Sequence, residues 1–483
     1  MEKHCLTYEE FGAVGDGVTD DLAAIASCHA EANKIGVAVR ARDGAKYYIG
    51  GKDISAIIKT DVNFGTAQFI IDDTHLENAE SRVFVVASDY EGYELDLTKL
   101  LSKDEKIILP HEGKAFVRIY DENHKCYIRK GLNQNAGVPK SDIFIVSKDG
   151  RIETDLDWTY ESATKCEARR LDERSITISG GIFTTIANQA ESKYNYHYRG
   201  FEINRDRVTI SGLTHYVIGE IDHGAPYDGF FWVSHCAEVT IKDCLLSPHR
   251  TYQTPSVQNP EKFVSMGSYD IILLATVRTS LINIKQTVDI MDTLYWGLMG
   301  SNFCKDMLLL NCEISRFDAH MGVTNATICG CKLGHQCLNL IGYGKFVLED
   351  SYLLGKSLIN LRQDYGSNWN GDIEIKNCVW QPISAKATLF NANNSGDHDF
   401  GFACFMPKNI RIDGLSVKDG EFEIKSEQLY LLPIYDRNYS ENKPFKYTAP
   451  SYVSLSNVTT ESGRKLLPYE SEKLYEGLTI EYK

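Results

Sequence analysis

The chain has 483 residues, 43% of them hydrophobic and 24% charged, with a formal net charge of −15. That composition describes a folded globular protein, and the acidity weighs against nucleic acid, which is held by neutralising phosphates with Lys and Arg. An acidic polysaccharide stays open as a partner only through a local basic patch.

No apolar run reaches the ~18 residues of a membrane span, so no membrane partner is expected. The start, "MEKHCLTYEEFGAVGDG", lacks the apolar stretch of a secretion signal. Thirteen cysteines, an odd number with no CxxC pair, fit reduced thiols better than a disulfide framework. These features predict a cytoplasmic protein and leave open a phage particle or a trimmed secreted protein.

In chain order, "FGAVGDGVTDDLAAIASCHAEANKIG" opens with a Gly-Asp-Gly turn. Asp20 and Asp21 supply an N-cap and an acidic first turn, and an amphipathic helix runs on to Gly36. Such a helix would cover the open end of a stack of strands. Residues 1–89 therefore read as an N-terminal cap with first coils. Residues 90–170 break the pattern. "AFVRIYDENHKCYIRKG" and "DIFIVSKDGRIETDLDW" each resemble a hairpin, turning at "DENHK" and "KDG", and predict a small inserted antiparallel β module.

From 171 to 420 short strands recur: "VTISGL", "VTIKDC", "LLLNCEI", "ATICGCKL", "FVLEDSYL", "IEIKNCVW", "IRIDGLSV". From Ile284 through Leu310, Ile328 and Leu348 to Ile375 the steps are 26, 18, 20 and 27 residues. Strands that close together leave no room for intervening helices, and the period is that of a solenoid. Asn, Asp or Gly, often followed by Cys, sits where each strand must bend, as the repeated corner of a parallel β-helix requires. Residues 421–483 read as last strands and a C-terminal cap. The fold class predicted is all-β: a right-handed parallel β-helix with a capping helix and an inserted antiparallel module.

"FGAVGDGVTDDLAAI", Phe11 to Ile25, resembles the opening motif of the pectate-lyase-like right-handed parallel β-helix superfamily, which includes polysaccharide hydrolases, lyases and phage tailspikes. The resemblance implies the fold and a carbohydrate partner. Asp16, Asp20 and Asp21 serve as turn and capping residues within it and carry no chemistry.

Glycoside hydrolysis commonly needs two carboxylates, one as acid and one as base or nucleophile. Uronate lyases need a base, with Arg or Ca²⁺ to neutralise the substrate. Four successive segments carry such groups at similar distances from their anchor strands: "TVDIMDTLYWG" (Asp289, Asp292, Tyr295, Trp296), "SRFDAHMG" (Arg316, Asp318, His320), "LGHQCLN" (His335, Gln336, Asn339) and "INLRQDYGSNWNGD" (Arg362, Asp364, Tyr365, Trp369). Stacked coils would place them ~5 Å apart. The order Asp292, Asp318, His335, Arg362 is similar to that of polygalacturonase-type hydrolases, although the flanking motifs differ.

The expected catalytic groups are Asp292, Asp318, His320 and His335. Arg316, Gln336, Asn339, Arg362, Asp364, Tyr365, Trp296 and Trp369 are expected to bind substrate, with Tyr343 another ring in the same coils. A second pair, Asp228 and Asp270, follows Tyr in "PYDGF" and "SYDII", so the two "YD" steps would stack, with His223 and Tyr227 within reach of sugar. No metal motif is present and no cofactor is expected, with a Ca²⁺ at Asp289 and Asp292 the weakest alternative. The reading is a glycoside hydrolase acting on an oligo- or polysaccharide. A polysaccharide lyase and a non-catalytic, tailspike-like glycan-binding solenoid are the alternatives, and a homo-oligomer, trimer or dimer, is left open.

Overall fold

A computed structural model describes residues 5–126, 128–129, 138–191, 196–221, 227–255, 259–362, 368–385, 388–392, 398–399, 406–420, 428–432, 448–470 and 475–483. They form two compact units, Met1–Glu91 with Leu171–Gly300, and Gly92–Arg170 with Ser301–Lys483. The chain is a right-handed parallel β-helix with little helix.

In the first unit, strand Val62–Asp72 pairs in parallel with Ile176–Ile186, which continues to Val208–Ser211 and Thr214–Ile218. A second ladder stacks Phe84–Val86, Phe201–Ile203, Asp228–Ser234 and Tyr269–Leu274. Side chains of a strand alternate between faces, so one row of every coil points inward and the same position repeats from coil to coil. The core is accordingly a column of rings: Phe69 stacks on Phe183 at 4.7 Å and Phe84 on Phe201 at 4.6 Å.

The helix Leu22–Ile35 ends at Gly36, whose φ of 73° is the left-handed conformation expected of a C-terminal stop. It packs against strand Ala56–Ile58. The acidic residues before it divide their labour. Asp20 Oδ1 accepts from the Leu22 amide, while the Asp21 carboxylate turns back to the amides of Val14 and Gly15. Asp16 accepts from the amides of Val18 and Thr19. All three serve the turn and the cap.

In the second unit Cys304–Leu310, Val323–Cys329, Gly342–Glu349, Trp369–Pro382, Asn409–Val417, Tyr452–Thr460 and Thr479–Tyr482 follow one another in parallel register. The corners that the repeats announced recur in both units. Asp243, Asn311, Asp350 and Asn377 have positive φ, a conformation Asn and Asp tolerate better than other side chains. The cysteines after three of these corners turn inward, and Cys244, Cys312 and Cys378 each bond through Sγ to the carbonyl two residues earlier. Cys244, Cys312 and Cys378 are free thiols, as are eight other described cysteines.

Residues 92–170 form a four-stranded antiparallel sheet in the order Val138–Val146, Ala115–Cys126, Lys165–Arg170, Gly92–Glu94. It has its own core around Val117, Ile119, Phe144 and Tyr160. The "KDG" stretch is a turn, with Gly150 at φ 84°. "DENHK" is not. Ala115–Cys126 is a single strand, and Pro139 pairs with Lys125 while Lys140 pairs with Asp121, so Glu122–His124 form a bulge. A polar run inside a strand looks like a turn in sequence whenever the bulge exposes it.

This sheet meets the coils of its own unit along one outward row, the in-register positions Lys305, Thr324 and Tyr343. Lys305 Nζ reaches Asp142 Oδ1 at 2.5 Å, Asp157 Oδ1 at 3.0 Å and the Asp155 carbonyl at 2.6 Å. Thr324 donates to Asp157 at 2.8 Å, and Tyr343 meets Trp158 edge-on at 5.2 Å.

Candidate functional site

Four coils of the first unit present a row of outward side chains. Register places Glu202 between Val85 and Trp232, and Trp232 next to Ile272. Upstream, the bridge between His197 and Tyr227 brings Tyr198 beside Asp228. Arg82 runs under both pairs. Its Nη1 donates to the carbonyls of Arg199 and Gly229, each at 3.0 Å, and its Nη2 lies 3.3 Å from Asp228 Oδ2. The guanidinium sits 4.9 Å from the Tyr198 ring and 5.4 Å from the Trp232 ring, distances at which a cation is drawn to an aromatic face.

The result is a half-buried acidic site flanked by rings. Asp228 keeps 15% of its side chain exposed, while Arg82 is 4% exposed. Burial pushes the Asp228 carboxyl up to about 6 against the pull of Arg82, with the Glu202 charge adding to the rise. Glu202 Oε1 accepts from Asn204 at 3.3 Å. A partly exposed carboxyl raised to about 6, with the Glu202 charge near enough to add to the rise, is suited to give up a proton.

Behind Asp228 lies a buried network. Both oxygens of Asp270 approach His215 Nδ1 at 2.9 Å, and His215 Nε2 meets Thr185 Oγ1 at 2.9 Å. His249 Nε2 lies 3.4 Å from Asp270 Oδ1, and its Nδ1 is 2.6 Å from Glu220. Burial opposes a charge on His249, yet Glu220 and Asp270 carry its pKa to about 10. Burial likewise opposes ionisation of Asp270, yet the two imidazoles hold it below the ordinary carboxylate range. Deeper still, Arg199 Nε pairs with Asp73 at 2.7 Å.

The strand Asp228–Ser234 is bulged. Asp228 pairs with Tyr269, but Phe231 pairs with Ile271, so the two "YD" steps do not stack. A slip of one residue sends side chains to opposite faces: Asp228 points out to Arg82 and Asp270 points in to the histidines. Asp270, with 0% exposure, cannot touch a substrate as expected from sequence. The bulge rests on Gly229 at φ 75°, where a Cβ would lie 2.9 Å from the Phe231 carbonyl oxygen. Gly229→Ala is expected to cost about 1–2 kcal/mol in urea unfolding.

The four segments picked out by sequence fare differently. Asp292 shapes a turn, accepting from the Leu294 amide, and Asp289 does the same for Met291. Neither lies on a strand face, and among the described residues no group of acidic, His and Cys side chains is placed to hold a metal. Trp296 packs against Gly267, where a Cβ would fall 2.1 Å from its Cγ.

In the second unit Asp318 is fully buried between Arg316, in close contact, and Arg362 at 3.6 Å. Its charge is spent inside the protein, which corrects its assignment as acid or base, and Arg316, 5% exposed, is spent with it. Arg362 also donates to the His320 carbonyl, and His320 Nδ1 meets Asn302 at 2.9 Å. Asn339 stacks beside Asp318 in register and accepts from Asn360, part of an amide ladder that goes on to Asn391. His335 and Gln336 are half-buried on the same strand, Lys332–Leu340. Arg316, Asp318, His320, Asn339 and Arg362 are thus brought together, but as a structural cluster. Trp369, with 0% exposure, packs edge-on against Phe346 in the core and cannot stack on sugar. Tyr343 holds the inserted sheet. Asp364, Tyr365 and His223 lie outside the described residues.

Sequence reasoning passed over Glu202, Trp232, Tyr198 and Arg82. The signal was available in "RVFVV", "RGFEIN" and "DGFFWVS": aligning Phe84, Phe201 and Phe231 puts Val85, Glu202 and Trp232 in one outward row.

No family model matches the chain, and no curated protein matches it in sequence. Solved structures do. The tailspike gp61 of Pseudomonas phage phi297 superposes with a TM-score of 0.55 at 12% identity, over 99% of this chain and 84% of that one. The gp54 tailspike of Acinetobacter baumannii bacteriophage AP22, solved with A. baumannii capsular saccharide, gives 0.54 at 11% identity, over 99% and 79%. At such identities the likeness is one of fold: this chain is a parallel β-helix of the kind seen in phage tailspikes.

Proposed function

We propose that this chain is a carbohydrate-active β-helix, a glycoside hydrolase in which Asp228 donates the proton and Glu202 is the partner carboxylate. The observation that carries the reading is the partly exposed Asp228 carboxyl, raised to about 6 and set among Glu202, Tyr198 and Trp232 on one outward face. Protonation of the glycosidic oxygen by Asp228 lets the leaving sugar depart as an alcohol. Water, activated directly by Glu202 or attacking a glycosyl–Glu202 intermediate, completes the cleavage and restores the proton. The two rings offer faces for sugar to lie on. Arg82 fixes the Asp228 carboxyl from below and limits its rotation.

The test is a polysaccharide panel led by bacterial capsular material, since one fold neighbour holds a capsular saccharide. Products are read by mass spectrometry. Expected is a mass gain of one water per cut, falling about 10²–10⁴-fold in Asp228→Asn. The rate should also decline as pH rises through about 6, because the donor must be protonated. Equal rates in wild type and Asp228→Asn would sink the assignment, and unsaturated products would mean a lyase.

A second reading, glycan binding without turnover, draws support from fold likeness to tailspikes over almost the whole chain. Retention of a capsular saccharide without cleavage would favour it.

A further inference from the structure

Asp228 owes its place to its neighbours in the strand, and both of those that face inward are held by imidazoles. Tyr227, one residue before, stacks on His249 with ring centroids 5.2 Å apart and planes 22° from parallel. Phe230, two residues after and inside the bulge, stacks on His215 at 3.7 Å and 9°. The two histidines come from different parts of the chain, strand Thr214–Ile218 and strand His249–Arg250, and share one carboxylate, Asp270. Asp270 is further fixed by the Ser247 amide at 3.2 Å, and its own amide donates to the Leu298 carbonyl.

We propose that Asp270 is a positioning residue for Asp228: through His215 and His249 it clamps the rings of Phe230 and Tyr227, and so sets how far the Asp228 carboxyl is withdrawn from water. The inference rests on the reading of Asp228 as proton donor, but it concerns a property of the carboxyl measurable without substrate. His197 pairs with Tyr227 in register and sets its ring 6.0 Å from the Tyr227 ring. Glu220 faces His249, and Thr185 and Ser247 bond around His215. Asp73 and Arg199 lie beyond Tyr227, and the Tyr227 hydroxyl accepts from the Asn188 amide. Arg82, Tyr198 and Glu202 face Asp228 itself. Among the described residues, Asp270 joins the imidazole that stacks on Tyr227 to the imidazole that stacks on Phe230.

The experiment is a ¹³C-carboxyl NMR titration of Asp-labelled full-length protein, with the Asp228 signal assigned by its loss in Asp228→Asn. Two variants are compared with wild type. Asp270→Asn removes the anchor and its charge. Phe230→Leu removes the ring contact and leaves every charge in place, and it remains informative where Asp270→Asn does not fold. Expected is a downward move of the Asp228 midpoint by about one pH unit in both, as the loosened carboxyl gains water. A merely structural role would lower stability and leave the midpoint alone. An unmoved midpoint in folded Phe230→Leu, or in folded Asp270→Asn, overturns the proposal. Should the midpoint move while wild type cleaves no glycan, the hydrolase reading fails and the clamp stands.

Discussion

Lys305→Met is expected to destabilise the protein by about 3–5 kcal/mol at pH 8, because it strands Asp142 and Asp157, the carboxylates this ammonium pairs with. Lys305 is 1% exposed and Asp142 3%. Burial and the neighbouring Asp157 lift the Asp142 carboxyl to about 7 even with the ammonium present. Burial opposes the charge on Lys305, but the two aspartates raise its pKa above the ordinary lysine value.

The sign with pH follows. Folded Asp142 binds its proton more tightly than the unfolded chain does, so stability rises as pH falls through about 7. Without Lys305 the carboxyl rises further, and protonation relieves more of the penalty. The deficit of Lys305→Met, read by urea unfolding with tryptophan fluorescence, should therefore shrink between pH 8 and pH 5. A deficit that is constant with pH would mean that lost methylene packing, not the stranded charge, sets the cost.

That latch was invisible in sequence, and the reason is general to solenoids. The repeats show the period and the corners plainly, because coils bend at left-handed residues such as Asp243, Asn311 and Asn377 and turn a small Cys inward after them. Gly36 marks a helix end that local chemistry alone dictates. Which face a polar residue takes is different, since a single bulge reverses it. Gly229 and Phe230 add one residue to their strand and thereby turn Asp228 to the face opposite the Asp270 it was expected to join. Asp318 misled for a second reason. Carboxylate, guanidinium and imidazole in one stretch describe a catalytic row and a self-neutralising buried cluster equally well, and only the full burial of Asp318 decides between them. Glu202 and Trp232 stood inside ordinary strand alternation, where nothing but alignment of coils reveals a shared row.

The second large effect concerns alkaline pH. Wild type is expected to lose about 3–5 kcal/mol of stability between pH 6.5 and pH 10, in excess of any loss by His249→Phe over the same range. Folded His249 has a pKa of about 10 against 6.5 for the free side chain, despite the burial that opposes its charge. A raised histidine contributes its full stabilisation below the unfolded value and surrenders it as pH climbs through the folded one. Asp270 works the other way: with a depressed pKa it stabilises above the ordinary carboxylate range and gives that up as acid protonates it. The cluster therefore supports the fold best in mildly acidic solution. His249→Phe keeps a ring against Tyr227 but leaves Glu220 and Asp270 short of a cation, so it should start weaker and show a flatter alkaline limb. Parallel limbs in the two proteins would place the charge on another group.

The inserted sheet also bears on the order in which the chain can fold. Strand Val62–Asp72 must find Ile176–Ile186, and the bond from the Thr177 amide to Asp61 closes a loop of 116 residues. Yet Gly92 and Arg169, near the two ends of the insertion, are direct partners in its sheet. Once that sheet has formed, the chain enters and leaves it at one point, and the loop left to close is roughly a third as long. On the logarithmic scaling of loop entropy that spares about 1 kcal/mol. A long detour in sequence thereby becomes a local staple, and coils on either side of the insertion can zip as though it were a short connection.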